Sequence, residues 1–217
     1  YRGQLEVLRM TGSDMSVVNI LPFEEYLYGV VASEMGSSPD LPLEALKAQA
    51  VASRTYTLNS MGKYSDLKFD LCNESCCQVY KGMNVETENA IRAVRETEGE
   101  RVLYQGNTAQ VYYSSSNGGV TESTDNVWNP DTCLPYISSF EDRFDPAECW
   151  EITLTGEEIE RLTGCEVGNI VDVSITKTAD SSRVTELEIV GDRGKLTLAR
   201  LECRNVLGLP SQMFTVG

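Results

Sequence analysis

Helical and strand patterns are segregated along this chain, and their order limits the folds open to it. Stretches with helical spacing of apolar residues come first, at about 22–35, 43–61 and 86–98. Strand-like stretches gather later, near 171–177, 183–190 and 195–199. A repeated βαβ fold would interleave the two kinds of element. The sequence therefore predicts an α+β fold, with N-terminal helices packed with a mostly antiparallel sheet.

Shorter patterns complete the prediction. Residues 4–20 read as two strands around a turn at 11–14, and residues 101–113 read as a β-hairpin around 105–107. EITLT reads as a strand, GEEIERL as a short helix and LARLECRNVLG as a final short helix. We find no internal repeat and no linker, so we expect one domain over 1–217, or one domain with a protruding subdomain.

The chain begins without Met, and its first residues lack the apolar core of a signal peptide. We therefore expect a targeting or anchor segment to be absent from it. The formal net charge is −15, from 33 acidic and 18 basic residues. Such acidity repels phosphate backbones, which argues against nucleic acid as a partner. The chain has no His, so any chemistry must use carboxylates, hydroxyls, amines or thiols.

Glu34 occupies a position at which the helical spacing of apolar residues predicts another apolar side chain. In LYGVVASEMG (27–36), Leu27, Val30, Val31 and Glu34 share one helix face. Desolvation and the negative end of the helix dipole both disfavour ionisation of a carboxyl there. A glutamate that is still protonated near neutral pH is what a general acid requires. The alternative is that Glu34 lies past the helix end and faces water.

The second predicted helix carries two cations on one face. Lys47 and Arg54 are seven residues apart, which is two helical turns. The neighbouring positions are mostly Ala and Leu, so this helix can pack closely on another. The two cations could interact with Glu34 or hold a polar ligand, or they could be solvated surface charges.

A hydroxyl-rich loop follows the predicted hairpin. YYSSSNGG (112–119) ends in Asn-Gly-Gly, which suits a tight turn with exposed backbone N–H groups. Such a loop could donate hydrogen bonds to sugar hydroxyls. A nucleophilic Ser is disfavoured because the chain has no His to act as its base. Trp128 could stack on a sugar ring, although a buried structural role is the simpler expectation.

Three of the seven cysteines form a cluster in CNESCC (72–77). Cys72, Cys76 and Cys77 could contribute to a thiolate zinc site, but no fourth ligand is visible nearby. A disulfide between Cys72 and Cys77 is an equal alternative.

Several segments together resemble a known family. They occur in order along essentially the whole chain: LPFEEYLYGVVASEM, LPLEALKAQAVASRTY, CNESCCQVYKG, YYSSSNGGVTESTDNVW and LGLPSQMF. This set resembles the stage II sporulation protein D family, which also includes the amidase-enhancer proteins. The resemblance implies a lytic transglycosylase that cleaves the MurNAc–GlcNAc β-1,4 bond of bacterial peptidoglycan glycan strands to 1,6-anhydro-MurNAc products, as in sporulation engulfment.

The resemblance also implies roles for particular residues. Glu34 takes the catalytic acid/base role, and Lys47, Arg54, Tyr112 and Ser116 take substrate-binding and support roles. One carboxyl suffices because the substrate supplies its own nucleophile.

This chain departs from the family pattern at two positions. Relatives often have His where this chain has Cys76, and some have His at the position of Tyr113. The missing imidazole argues against a family-type zinc site at Cys72, Cys76 and Cys77, so we expect no metal to be required.

The family also contains a second kind of function. A non-catalytic, glycan-binding enhancer of a cell-wall amidase is the alternative to the enzyme. Either function implies an extracytoplasmic location, membrane-anchored or secreted, and a SpoIIP-like amidase as partner. In a spore-former the location would be the space between the mother cell and forespore membranes.

Overall fold

The computed structural model describes residues 1–9, 15–145 and 148–217. The chain forms two compact units, residues 1–113 and residues 114–217. The predicted turn at 11–14 lies outside the described residues. Within the described ranges, no helix is both long enough and apolar enough to cross a bilayer.

The first unit begins with an antiparallel ribbon of β1 (Gln4–Arg9) and β2 (Met15–Ile20). Val7 pairs with Val17 in its register, and both side chains are largely exposed. The strand pattern read from the sequence is thus confirmed here.

Three helices form the core of the first unit: α1 (Phe23–Met35), α2 (Leu43–Ser60) and α3 (Glu88–Glu96). Each helix begins at a residue typical of a helix start. Pro22 and Pro42 directly precede α1 and α2. Thr87 caps α3, because its hydroxyl accepts the Ala90 N–H. Their small and aliphatic side chains share one buried cluster: Leu27, Tyr28, Val31, Ala32, Leu46, Ala50, Ala90, Ala93 and Val94.

The remaining elements of the first unit are short. Single 3₁₀ turns occupy Ser65–Leu67 and Met83–Val85. The predicted hairpin is present as β3 (Leu103–Tyr104) and β4 (Asn107–Thr108), but its strands are only two residues long.

The second unit contains the larger sheet, an antiparallel array in the order β5–β6–β7. Its strands are β5 (Ile170–Thr178), β6 (Val184–Gly191) and β7 (Gly194–Ala199). Its helices are α4 (Thr124–Val127), α5 (Gly156–Thr163) and α6 (Glu202–Asn205), with a 3₁₀ turn at Pro130–Thr132. The predicted strand EITLT is wrong, because residues 151–155 have no ladder partner.

The sheet has an apolar core of its own. Buried side chains from α5, the strands and the C-terminal segment form it: Ile159, Val184, Leu187, Ile189, Leu198, Cys203 and Leu207. The predicted α+β class is confirmed. The assignment of one domain to residues 1–217 stays a prediction, since each compact unit has its own core.

Candidate active site around Glu34

Glu34 lies in the last turn of α1, on the face that forms the core. Leu27, Val30 and Val31 on that face are fully buried, as their spacing predicts. The helix continues to Met35, so Glu34 is a helical residue and does not lie past the helix end. Its side chain is half-buried. The carboxyl therefore sits at the border between the apolar core and solvent.

Neutral groups donate hydrogen bonds to this carboxyl. The backbone N–H of Val79 donates to Glu34 Oε1 at 2.7 Å. The Tyr113 hydroxyl donates to the same oxygen at a longer distance of 3.5 Å. A charged partner would neutralise the carboxyl, whereas these donors orient it without adding charge.

A buried amide connects Tyr113 to α2. The Gln78 side chain has no exposed surface, and its Nε2 donates to the Tyr113 oxygen at 2.9 Å and to the Ser53 carbonyl at 3.3 Å. Thr57 Oγ1 lies 2.6 Å from Gln78 Oε1. Every polar atom of this amide is therefore engaged, and α2 fixes its position.

Tyrosines surround the carboxyl. Burial, with a smaller contribution from Glu34, raises the pKa of Tyr113 to about 12, against the opposing hydrogen bond from Gln78. Burial also raises the pKa of Tyr26, and Tyr113 is its largest electrostatic neighbour. The Tyr56 ring meets the Tyr113 ring edge-on at 6.3 Å between centroids. The phenols of Tyr113 and Tyr26 therefore stay protonated at neutral pH and act there as neutral hydrogen-bonding groups.

Two buried hydroxyls of α1 lack a hydrogen-bond partner among the described residues. They belong to Tyr26 and Ser33, on the helix that carries Glu34. Buried polar groups in folded proteins are nearly always satisfied by protein or by ordered water. These two hydroxyls are therefore available to water or to a bound molecule.

Arg54 is engaged by protein groups, and its predicted substrate-binding or support role stays a prediction. Its side chain is 2% exposed, and its guanidinium pairs with Glu24 through bonds of 2.9 and 2.7 Å. Its remaining N–H groups reach the end of α3, at the Val94 and Glu100 carbonyls and the Thr97 hydroxyl. All five N–H donors of the guanidinium bind protein acceptors, so the Arg54 side chain links α2 to α1 and to the end of α3.

Lys47 also has protein partners in place of the predicted ligand. Its ammonium pairs with Glu96 of α3 at 2.7 Å and with Glu44 at 2.9 Å. The hydrogen bond to Glu96, followed by that to Glu44, raises the pKa of Lys47. Lys47 and Arg54 thus each form an ion pair with a neighbouring helix, and their predicted roles at the glycan site stay predictions.

The two predicted binding residues in the YYSSSNGG segment fall in different units. Tyr112 is the second-last residue of the first unit, is 46% exposed and donates to Gln110 Oε1 at 3.3 Å. Ser116 belongs to the second unit, where its hydroxyl donates to Asp145 at 3.1 Å. The structure brings Tyr113 to Glu34, and the adjacent Tyr112 faces elsewhere.

The N–H groups of the loop at 117–118, which we expected to bind sugar hydroxyls, donate to acidic side chains of the protein. Asp145 accepts the backbone N–H groups of Asn117 and Gly118. Asp142 accepts the Asn117 side-chain amide at 2.8 Å, and this bond, with the Phe144 N–H, lowers the pKa of Asp142. The turn forms as predicted, but its N–H groups are used internally.

Trp128 is 43% exposed, which corrects the expectation that it is buried. It lines an open groove of about 380 Å³ in the second unit, together with residues 129–130 and 199–202.

The three cysteines of the CNESCC segment lie together, with their sulfur atoms within 4.8 Å of one another. Cys72 is bonded to Cys76, so the predicted Cys72–Cys77 disulfide is wrong. Cys77 is a buried thiol 3.8 Å from the Lys63 ammonium. Reduced, the three sulfurs would suit a soft ion such as zinc; the disulfide leaves only one thiol.

Sequence reasoning missed Gln78 and Val79, and it chose Tyr112 over Tyr113. The family resemblance offered a signal for Tyr113, since it implies His at that position in some relatives. Val79 contributes only a backbone group, which no residue pattern reveals. Gln78 is an uncharged residue that gains its role from burial.

Comparison with known proteins identifies the class of protein to which this site belongs. A family model described as "SpoIID: Stage II sporulation protein" matches residues 11–104. That range contains Glu34, Gln78 and Val79, and it ends before Tyr113.

Individual relatives agree with the family match. The chain is 38% identical over 134 residues to "Amidase enhancer" of Bacillus subtilis, an alignment covering 62% of this chain and 17% of the relative. It is 31% identical over 221 aligned positions to "Stage II sporulation protein D" of Bacillus subtilis, covering 93% of this chain and 62% of that protein. An uncharacterised protein of Brachyspira hyodysenteriae is 42% identical over 57% of this chain and 33% of its own length.

The chain is therefore similar to the SpoIID family and to the amidase enhancers, and the predicted resemblance is confirmed. It spans between about one sixth and two thirds of the length of these relatives.

Proposed function

We propose that this protein is a lytic transglycosylase of bacterial peptidoglycan, with Glu34 as its single acid/base. The observation that carries the proposal is the half-buried carboxyl of Glu34, held by the Val79 N–H and the Tyr113 hydroxyl and free of a charged partner in the described residues. The match of residues 11–104 to the family model supports it.

The chemistry needs one proton donor that later becomes an acceptor. Protonated Glu34 gives its proton to the glycosidic oxygen as the bond from MurNAc C1 to that oxygen breaks. The resulting carboxylate then takes the proton of the MurNAc C6 hydroxyl as O6 bonds to C1. The products are a free GlcNAc hydroxyl and a 1,6-anhydro ring, and no water is consumed. A hydrolytic glycosidase normally needs a second carboxylate.

The described surroundings of Glu34 suit this single-carboxyl chemistry. Among the described residues they include phenols, a buried amide and a backbone N–H. The neighbouring phenols remain neutral across the working pH range because burial raises the pKa of Tyr113 and of Tyr26. The carboxyl is therefore the one group of this set that can exchange a proton.

The decisive experiment is product analysis of peptide-stripped glycan strands incubated with the protein in water enriched in oxygen-18. Mass spectrometry should find 1,6-anhydro-MurNAc ends without the heavy isotope. Reducing MurNAc ends that contain oxygen-18 would show hydrolysis instead, and intact strands would remove the enzyme proposal.

A second function is favoured by the match to the amidase enhancer. In it, the protein holds glycan strands and stimulates a cell-wall amidase without cutting. Stimulation of amidase release of stem peptides by both wild-type and Glu34→Gln protein, with no anhydro products from either, would establish this second function. In both cases we propose an extracytoplasmic location, peptidoglycan as substrate or ligand, and a cell-wall amidase as partner.

A further inference from the structure

The side-chain amide of Gln78 determines the direction in which the Tyr113 hydroxyl can donate its hydrogen bond. The Ser53 carbonyl can only accept a hydrogen bond, so the atom of Gln78 that faces it at 3.3 Å must be the NH₂ group. The opposite oxygen faces the Thr57 hydroxyl at 2.6 Å. The Thr57 hydroxyl also lies 2.7 Å from the Ser53 carbonyl, so the amide orientation rests on the contact between Gln78 and that carbonyl.

The same NH₂ group points at Tyr113, at 2.9 Å from the phenol oxygen. A phenol has one hydrogen, and its oxygen is here already accepting from Gln78. The hydrogen must point away from that donor, and Glu34 Oε1 lies within reach at 3.5 Å. With Glu34 Oε1 as the acceptor, the hydrogen bonds run from Gln78 through Tyr113 to Glu34, and the Ser53 side chain is a further hydrogen-bonding neighbour of the phenol.

Two consecutive residues, Gln78 and Val79, therefore act on the carboxyl, one through Tyr113 and one directly. Val79 donates its backbone N–H directly to Glu34 Oε1 at 2.7 Å. Gln78, the preceding residue, acts on the same oxygen through Tyr113. Full burial of Gln78 keeps water from competing for these bonds.

We infer that Gln78 is a positioning residue, whose buried amide holds the Tyr113 hydroxyl as a hydrogen-bond donor to Glu34. This inference rests on the proposed acid/base role of Glu34. Gln78 does not touch substrate, and no proton leaves it. Tyr113 is likewise a positioning residue, which fixes the carboxyl oxygen for transfer to the glycosidic oxygen.

A spectroscopic test is independent of glycan cleavage. In protein with ¹³C-labelled tyrosine, the Tyr113 Cζ signal is identified by its loss in Tyr113→Phe. Replacing Glu34 by Gln should move this signal in the wild-type background, because the acceptor of the hydroxyl changes. In Gln78→Met the same replacement should move it less than half as far. Movements of equal size in the two backgrounds would overturn the inference.

A kinetic test uses the double mutant. Gln78→Met should lower kcat about tenfold at nearly unchanged KM, as expected for loss of one hydrogen bond that acts on a charged group. The double variant Gln78→Met/Tyr113→Phe should be no slower than Tyr113→Phe alone. Losses that multiply in the double variant would show that Gln78 acts independently of Tyr113.

Controls separate positioning from folding. Tyr28→Phe removes a hydroxyl of α1 that accepts a bond from Arg95 at 3.3 Å, and it should change neither readout. Gln78→Glu keeps the size of the side chain and replaces the NH₂ donor, so it serves if Gln78→Met does not fold. Absence of anhydro products from wild-type protein would remove the proposed function, whereas the spectroscopic test would still decide the role of Gln78.

Discussion

Two glutamates at opposite ends of α1 have different surroundings. Glu24, in the first turn, is paired with the guanidinium of Arg54, while Glu34, in the last turn, receives hydrogen bonds from neutral donors. The bidentate pair with Arg54 ties Glu24 to α2 and so gives it a structural role. Glu34 has no charged partner among the described residues, which is why we propose it for the chemistry.

Replacing Glu34 by Gln should lower the rate of glycan cleavage about 10²–10⁴-fold, because general acid–base catalysis contributes about that factor. Glutamine can still accept the Val79 N–H bond, so the melting temperature and glycan binding should stay near wild type. Product formation by mass spectrometry and binding by co-sedimentation measure the two effects. A variant that keeps more than about a tenth of wild-type activity would exclude Glu34 as the acid.

Removing the Arg54 side chain should destabilise the fold. Arg54→Ala leaves Glu24 without its partner and the end of α3 without donors, and breaking a buried pair costs about 3–5 kcal/mol. Arg54→Lys keeps the charge but loses the fork, so we expect a smaller loss of about 1–3 kcal/mol. Urea unfolding measures both values.

The matched control is Arg92→Ala, which removes an exposed cation paired with Glu96 on the same helix. Its effect on the free energy of unfolding should stay within about 0.5 kcal/mol. An Arg54→Ala protein of wild-type stability with reduced cleavage would return Arg54 to the substrate site.

At the scale of elements, the loop at 114–119 is shaped by the acidic segment at 142–145. Gly118 and Gly119 have φ angles of +68° and +89°, in the left-handed region that glycine adopts without strain. Asp142 and Asp145 then accept the N–H groups that this turn exposes. The loop is therefore ordered by carboxylates, and its order must depend on their ionisation.

Acid should loosen this loop. The bonds from Asn117 and Phe144 lower the pKa of Asp142 below its ordinary value of 3.8. Their stabilisation is fully present above pH 3.8 and is lost as the pH falls through the lower, folded-state pKa. We expect Asp142→Asn to melt below wild type at neutral pH, with a difference that shrinks over this acidic range.

Asn117→Ala removes the largest cause of the Asp142 shift and serves as the control. In that background, the Asp142→Asn effect should be smaller and less dependent on pH. A melting difference between wild type and Asp142→Asn that is constant from neutral pH into acid would contradict the role of this carboxylate.

Elements with strong local signals could be predicted from the sequence, and those defined by distant partners could not. The starts and ends of α1 and α2 follow from Pro22, Pro42 and helical spacing, and the prediction for β5–β7 is correct within about two residues. EITLT has strand propensity but no ladder partner, and pairing is a tertiary property.

The same distinction holds for the site. The apolar face around Glu34 is a periodic local feature, and it was predicted correctly. The partner of Arg54 is thirty positions away on α1, and no spacing rule connects the two residues. Likewise, the choice between Tyr112 and Tyr113 depends on which side of an irregular segment faces α2.

At the scale of the whole molecule, composition restricts the available metal chemistry. The chain has no His, so its zinc-binding soft ligands are the thiolates of its seven cysteines. Three of them cluster at 72–77, and a disulfide uses two of these three. The groups that contact Glu34 are an N–H and an O–H, neither of which is a metal ligand there.

We expect that turnover needs no metal. Under non-reducing conditions, treatment with a strong zinc chelator should leave the rate of glycan cleavage unchanged, since the acid/base contacts are made by protein groups. Elemental analysis before and after treatment provides the control for metal removal. Stoichiometric zinc, with activity that is lost on chelation and restored by the metal, would contradict this expectation.

The donor of the hydrogen bond from Val79 to Glu34 is a main-chain N–H, so substitutions at position 79 need not remove this bond. Nineteen of the twenty amino acids at position 79 would offer the same N–H, and only proline would delete it. The hydrogen bond that holds the Glu34 carboxyl therefore does not depend on which side chain stands at position 79, proline excepted. Mutational scanning that records only side-chain replacements would score position 79 as tolerant, apart from proline, although its peptide group holds the atom on which the proposed chemistry depends.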